Sequence, residues 1–197
     1  MRPAVVCGVD EAGRGPLAGP VYAGAVILDV RRPVDGLKDS KQLSATRRDW
    51  LESRIKENAL AWAVGMATVE EIDRLNILQA TFLAMTRALE SLDGAFDEVW
   101  VDGNQRPPWV HATRTVVGGD ASVAQISAAS ILAKTARDRE MRRLHACFPQ
   151  YDFAAHKGYG TADHLAALRR HGPCSAHRRS FNPLKSWLAQ GELPLSP

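Results

Sequence analysis

The chain has 197 residues, 45% hydrophobic and 24% charged, with a formal net charge of +3. This is ordinary globular material of a length that favours one domain, and it holds no run of about 18 apolar residues that would span a membrane. Three scattered cysteines, Cys7, Cys147 and Cys174, argue against a disulfide framework, and the N-terminus lacks the apolar stretch of a secretory signal. The expected location is the cytoplasm.

The apolar run Ala4-Val5-Val6-Cys7 reads as a buried strand, and it leads into Gly8-Val9-Asp10-Glu11-Ala12-Gly13-Arg14-Gly15-Pro16-Leu17-Ala18-Gly19-Pro20. Two adjacent carboxylates thus meet a glycine-rich turn at a strand end. In a regular strand Asp10 and Glu11 point to opposite faces, so both serve one site only if the chain twists or ends there. The glycines permit that. Taken alone, the stretch fits a polar strand end entering a surface turn equally well.

Val21–Leu28 is a second β-rich run, antiparallel to the first by expectation, and Gly24 within it marks a bulge or a close approach. The polar loop Gly36–Ser44 follows, with Ser44 as an N-cap to a helix over Arg47–Asn58. Leu60–Thr68 reads as a third strand. Two helical pieces come next, Val69–Leu75 and Ile77–Leu92. Leu78, Phe82, Met85 and Leu89 form a core-facing stripe on the second.

Glu98–Asn104 is a further strand, ending in Asp102-Gly103. Pro107-Pro108 breaks the chain. Thr113–Val117 then runs into Gly118-Gly119-Asp120. Three separate strand ends therefore carry acids beside glycine: Asp10 with Glu11, Asp102, and Asp120. In open α/β sheets, sites gather at the carboxyl ends of strands. Acids at three such ends look like a cation site.

Ser122–Leu144 reads as the longest helix, rich in small residues at first and charged from Arg137 to Arg143, where it is expected to leave the core. Phe148–Gly160 reads as loop. Tyr159 stands between two glycines, on a backbone suited to presenting its ring to a sugar or base; an ordinary Gly-Tyr-Gly loop is the equal alternative. Thr161 caps a helix through His171, and Pro183–Gln190 forms a short last one. His171, Cys174 and His177 lack a second ligand pair to complete a zinc site, so a structural or surface role is expected for them.

Charge is uneven along the chain. Residues 134–185 hold eleven Lys/Arg and four acids, a balance of +7 that leaves −4 elsewhere. A basic third of the chain beside acidic strand ends suggests a phosphate-rich polymer held near a metal. A solvated, salt-bridged helix face is the plainer reading.

Five ordered blocks, residues 8–20, 39–43, 101–104, 119–141 and 156–161, resemble the ribonuclease HII family. The resemblance rests on Asp-Glu-Ala-Gly-Arg-Gly-Pro-Leu-Ala-Gly-Pro, Asp-Ser-Lys, Ile126–Lys134 with Arg137–Met141, and His156-Lys157-Gly158-Tyr159-Gly160-Thr161. The tail residues Gly172-Pro173-Cys174 and His177–Phe181 also look like bacterial members. The sister type, ribonuclease HIII, lacks the Gly-Arg-Gly form. One departure is Gly118, where many relatives place a lysine.

The resemblance implies a single ribonuclease H-like α/β domain over residues 1–197, a mixed β-sheet flanked by helices, with a basic helical C-terminal extension from about residue 145. It assigns catalysis and metal binding to Asp10, Glu11, Asp102 and Asp120, with Asp10 bridging two ions. It assigns substrate contacts to Gly13, Arg14, Gly15, Lys41 and Tyr159. Carboxylate oxygens without histidine or thiolate suit Mg²⁺ or Mn²⁺ better than zinc. Two such ions roughly 4 Å apart can activate water and stabilise a leaving oxygen. The implied substrates are RNA–DNA hybrids and duplex DNA containing ribonucleotides, cut 5′ to the ribonucleotide to leave 5′-phosphate and 3′-hydroxyl ends, in ribonucleotide removal and RNA primer processing. A monomer without membrane attachment is expected.

Two other classes compete with that reading. A non-catalytic nucleic-acid binder would use the basic window but leaves the acids at three strand ends unexplained. A small-nucleotide phosphotransferase would want a P-loop, and the pattern Gly-x4-Gly-Lys-Ser/Thr is absent.

Overall fold

The structure, a computed structural model, describes residues 4–37, 40 and 43–193. Lys41 and its neighbour Asp39 lie outside the described residues. Five strands form one sheet: β1 (Val6–Ala12), β2 (Val21–Leu28), β3 (Ala59–Ala67), β4 (Glu98–Asp102) and β5 (Thr113–Val116). Their spatial order is β3-β2-β1-β4-β5. β1 pairs antiparallel with β2 but parallel with β4, and β4 pairs parallel with β5. The sheet is mixed, and the carboxyl ends of β1, β4 and β5 share one edge.

Among the described residues there are eight α-helices: α1 (Ala45–Asn58), α2 (Val69–Leu75), α3 (Ile77–Glu90), α4 (Gly119–Ser122), α5 (Ala124–Cys147), α6 (Phe153–His156), α7 (Ala162–His171) and α8 (Leu184–Gln190). None is long and apolar enough to cross a membrane. Local chemistry explains the starts. Ser44 accepts a hydrogen bond from Arg47 N–H at α1. Thr68 and Glu71 form a reciprocal capping box at α2. Thr161 accepts from His164 N–H at α7.

The chain divides into two compact units. The first takes in the chain up to Ala12, Tyr22–Met66 and Thr81–Ala136; the second takes in Gly13–Val21, Ala67–Ala80 and the chain from Arg137 onward. In the first, the core on one face of the sheet joins Val26 to Leu51 and Ile55 of α1 and to Ala128, Ala129, Ile131 and Leu132 of α5. The small residues of α5 let its backbone rest on the sheet. A Cβ added at Gly24 would fall 2.3 Å from the Ala129 carbonyl oxygen, so Gly24 marks a close approach, not a bulge. In the second unit, Leu17, Met141, Tyr151, Phe153, Leu168 and Leu184 share another core.

Three local expectations are corrected. The helix expected from Ser122 is broken at Val123, whose extended backbone (φ −123°) separates α4 from α5. The charged second half of α5 does not leave the core: Arg137, Asp138 and Met141 are buried, because they pack within the second unit. The stretch expected as loop after Phe148 holds a 3₁₀ turn at Pro149–Tyr151 and the short α6. Burial of Tyr151 and Phe153, whose rings stack at 5.4 Å, organises it.

The contact at Gly24 makes a prediction. Gly24→Ala forces a methyl group into helix backbone and is expected to cost about 1–3 kcal/mol, read as a lowered midpoint in urea. An unchanged midpoint would contradict the close packing of α5 on the sheet.

Candidate active site

Strand register builds the site. Val9 of β1 lies opposite Val101 of β4 in the parallel ladder. The next residues, Asp10 and Asp102, therefore stand side by side and project to the same face. Asp102 in turn lies opposite Val116, the last residue of β5. Past Val117 and two glycines the chain places Asp120 in α4. The Asp102 carboxylate ties that turn down, since one of its oxygens accepts from Gly119 N–H at 2.7 Å and from Asp120 N–H at 3.3 Å.

Oxygens of Asp10, Asp102 and Asp120 lie within 4.8 Å of one another. Glu11 does not belong to this triad. β1 stays regular through Glu11, which pairs with Ala23 while Asp10 pairs with Gly24, so the two acids alternate across the sheet. Glu11 still acts on its neighbour: its N–H donates to the Asp10 carboxylate at 2.7 Å, and its charge disfavours ionisation of Asp10.

Asp10 is 5% exposed. Burial first, then the charges of Glu11 and Asp102, push its carboxyl well above the usual carboxylate range; bonds from the Ser130 hydroxyl and Glu11 N–H oppose part of that. The donor set is all oxygen, and it concentrates negative charge where water solvates it poorly. A hard divalent cation fits such a set. Thiolate- or imidazole-preferring metals do not.

The expected substrate contacts lie in the second unit, apart from Lys41, which falls outside the described residues. The turn after β1 exposes Arg14 and Gly15. Gly13 has φ +103°, and a Cβ there would fall 2.1 Å from Arg137 Nε, so the fold itself demands glycine. Gly15 differs: a Cβ there would meet only the Tyr159 ring, at an ordinary 3.6 Å. Tyr159 is 48% exposed. The turn and the Tyr159 loop are stitched together by Leu17 N–H donating to the Gly158 carbonyl at 2.8 Å.

Behind Tyr159 lies a network that the sequence reading did not assemble. Cys174 N–H donates to His177 Nδ1 at 3.0 Å, which leaves the His177 proton on Nε2. That proton faces His164 Nε2 at 3.0 Å, so the His164 proton sits on Nδ1 and donates to the Tyr159 carbonyl at 2.8 Å. His156 stacks on His164 with ring centroids 4.4 Å apart. His177 and Cys174 thus hold structural roles, as expected, and His171 sits edge-on to Tyr151. Burial pushes His164 down to about 4 and His177 down to about 3.

The sequence pattern of the ribonuclease HII family matches residues 7–184. The chain belongs to the ribonuclease HII family. It is 63% identical over 192 residues to ribonuclease HII of Laribacter hongkongensis, covering 96% of this chain and 97% of that one. It is 62% identical over 185 residues to ribonuclease HII of Bordetella pertussis, covering 94% and 92%. Among solved structures it is similar to ribonuclease H2 from Pyrococcus horikoshii OT3, with a TM-score of 0.76, 27% identity and coverage of 94% and 97%. The mixed sheet with flanking helices is accordingly the expected ribonuclease H-like fold. The protein is a ribonuclease H enzyme whose activity is metal-dependent and directed at RNA–DNA substrates.

The electrostatics of the site carry two predictions. Asp10 has a raised folded-state pKa, so its ionisation destabilises the metal-free fold as pH rises above the ordinary carboxylate range. Asp10→Asn should therefore melt higher than wild type in EDTA at pH 7.5; a lower melting temperature would make Asp10 a structural residue. His164 and His177 have the opposite effect. Their folded pKa values lie below the unfolded value of about 6.5, so the stability they contribute is present above that pH and is lost as pH falls toward 4 and then 3. The melting temperature of wild type should fall between pH 6.5 and 5. The double variant His164→Gln/His177→Gln, though less stable at pH 7.5, should show a flatter profile there. Parallel profiles would contradict burial of two neutral histidines.

Proposed function

We propose that the enzyme hydrolyses the phosphodiester on the 5′ side of a ribonucleotide, in RNA–DNA hybrids and at single ribonucleotides in duplex DNA, leaving 5′-phosphate and 3′-hydroxyl ends. The observation that carries this reading is the gathering of Asp10, Asp102 and Asp120 oxygens at the shared ends of three parallel strands. These residues would hold the divalent ions, Mg²⁺ or Mn²⁺, and Glu11, whose charge acts on Asp10 although its strand position alternates with it, would complete the catalytic set by reaching round the strand end. Bound there, the ions would supply water activation and stabilisation of the leaving oxygen.

The chain's own residues do the rest. Asp102 holds the Gly119–Asp120 turn by accepting hydrogen bonds from two backbone N–H groups, keeping Asp120 beside it. Ser130 and Glu11 N–H orient the Asp10 carboxylate by hydrogen bonds to it. A 2′-hydroxyl is all that distinguishes RNA from DNA at one sugar. We assign its reading to backbone groups of Gly13-Arg14-Gly15 and to Tyr159, with Lys41 on phosphate. The bare Gly15 supports this assignment. Its missing side chain leaves space beside the Tyr159 ring that protein packing does not need. On this reading the whole chain acts as one catalytic domain, a cytoplasmic monomer in ribonucleotide removal from DNA.

A duplex with one embedded ribonucleotide, incubated in Mg²⁺, Mn²⁺ or EDTA beside an all-DNA control, tests the proposal. The expected result is a metal-dependent cut 5′ to the ribonucleotide and an intact control. Binding without any cut in either metal would contradict it. Gly15→Ala separates fold from reading: its melting temperature should match wild type while kcat/KM on the same duplex falls at least tenfold. Unchanged kcat/KM would remove Gly15 from the contact set.

A further inference from the structure

Two arginines of the basic window never reach solvent. Arg178 is 0% exposed and Arg137 1% exposed. A buried guanidinium ordinarily sits against a carboxylate, because an uncompensated buried charge is costly. Arg178 instead spends its fork on backbone. Its Nε and Nη2 donate to the Gly19 carbonyl at 2.9 and 2.7 Å, its Nη1 to the Arg14 carbonyl at 2.9 Å, and its Nη2 to the Gly13 carbonyl at 2.6 Å. Its own N–H donates to the Leu17 carbonyl at 2.8 Å. The cation therefore grips both ends of the exposed turn from beneath.

That grip has a geometric consequence. In a trans peptide the C=O and the following N–H point in opposite directions within one plane. Drawing the Gly13 and Arg14 carbonyls onto Arg178 turns the Arg14 and Gly15 N–H groups away from it, in a turn whose Arg14 and Gly15 are exposed. The fixed positive charge also polarises those peptide groups, strengthening their N–H groups as donors.

We infer that Arg178 is a positioning residue for ribonucleotide recognition, holding the Gly13–Gly15 backbone so that its amides meet the 2′-hydroxyl-bearing sugar. The inference rests on the proposed reading of that turn as the sugar contact. Arg178 touches no substrate; it acts through the turn. Lysine cannot replace it, since three oxygens are held by a planar fork that an ammonium lacks. Asp73 holds the clamp in place, its carboxylate accepting from Arg179 N–H at 2.9 Å, Ser180 N–H at 3.0 Å and the Ser180 hydroxyl at 2.6 Å. Desolvation lowers the Arg178 pKa to about 9, so the guanidinium stays charged at neutral pH.

The test measures selectivity, which general loss of stability would not move. Fluorescence anisotropy in EDTA gives Kd for a duplex with one ribonucleotide and for its all-DNA counterpart. Wild type should prefer the first at least fivefold. Arg178→Lys should bring the two within twofold, keep all-DNA affinity within threefold of wild type, and lower kcat/KM in Mg²⁺ at least tenfold. Should Arg178→Lys fail to fold, Asp73→Ala decides, with an expected loss of at least half the preference. A folded variant that keeps the full preference overturns the inference. So does a wild type that cuts beside the ribonucleotide without preferring it in binding. A wild type that neither prefers nor cuts the ribonucleotide duplex overturns the underlying reading of the turn.

Discussion

Like charges forced together at a desolvated strand edge are the constraint on which this molecule depends. Parallel pairing of β1 with β4 sets Asp10 beside Asp102, and the turn after β5 adds Asp120 within 4.8 Å. Nothing in the packing of a core requires that arrangement, and Asp10 is destabilised by it. On the proposed reading, divalent cations held there would offset the repulsion, which would make metal dependence and fold two aspects of one feature. The parallel pairing of β1, β4 and β5 makes the feature possible, because it gathers their carboxyl ends at one edge of the sheet.

The second unit is organised by the opposite charge. Arg178 and Arg137 lie buried among main-chain carbonyls, Arg137 donating to Ala18 at 3.2 Å and Lys157 at 3.0 Å. Together with the neutral histidine chain behind Tyr159, they hold two segments, the Gly13–Gly15 turn and the Gly158–Gly160 loop, largely through main-chain carbonyls. A contact surface in which main-chain groups take part needs such support, because glycines leave the backbone itself little to fix it.

The acid triad was legible in the sequence because each member stands at or shortly after the end of a β-rich run with a glycine within two residues. Helix starts were legible from Ser44, Thr161 and the amphipathic stripe of α3. Glu11 shows the limit: whether an acid beside Asp10 shares its face depends on whether the strand continues one more residue, and β1 does continue. The buried arginines were illegible for a different reason. In a stretch with eleven basic residues, two that face carbonyls look like their neighbours, because the Ala18 and Gly19 carbonyls they reach lie 119 and 159 residues away in the chain. The pairing of His164 with His177 was hidden in the same way, whereas a zinc reading of His171, Cys174 and His177 rested on proximity in sequence alone. The short helical turns at 149–156 owe their form to burial of Tyr151 and Phe153, which no local signal announces.

Titration of Mg²⁺ and then Mn²⁺ into the metal-free enzyme by calorimetry, for wild type beside Asp10→Asn, tests the central claim most directly. Saturable binding is expected in wild type, lost or weakened at least tenfold in the variant, with both proteins folded. Equal binding by the two proteins, or no binding by a wild type that cleaves its substrate, would contradict it.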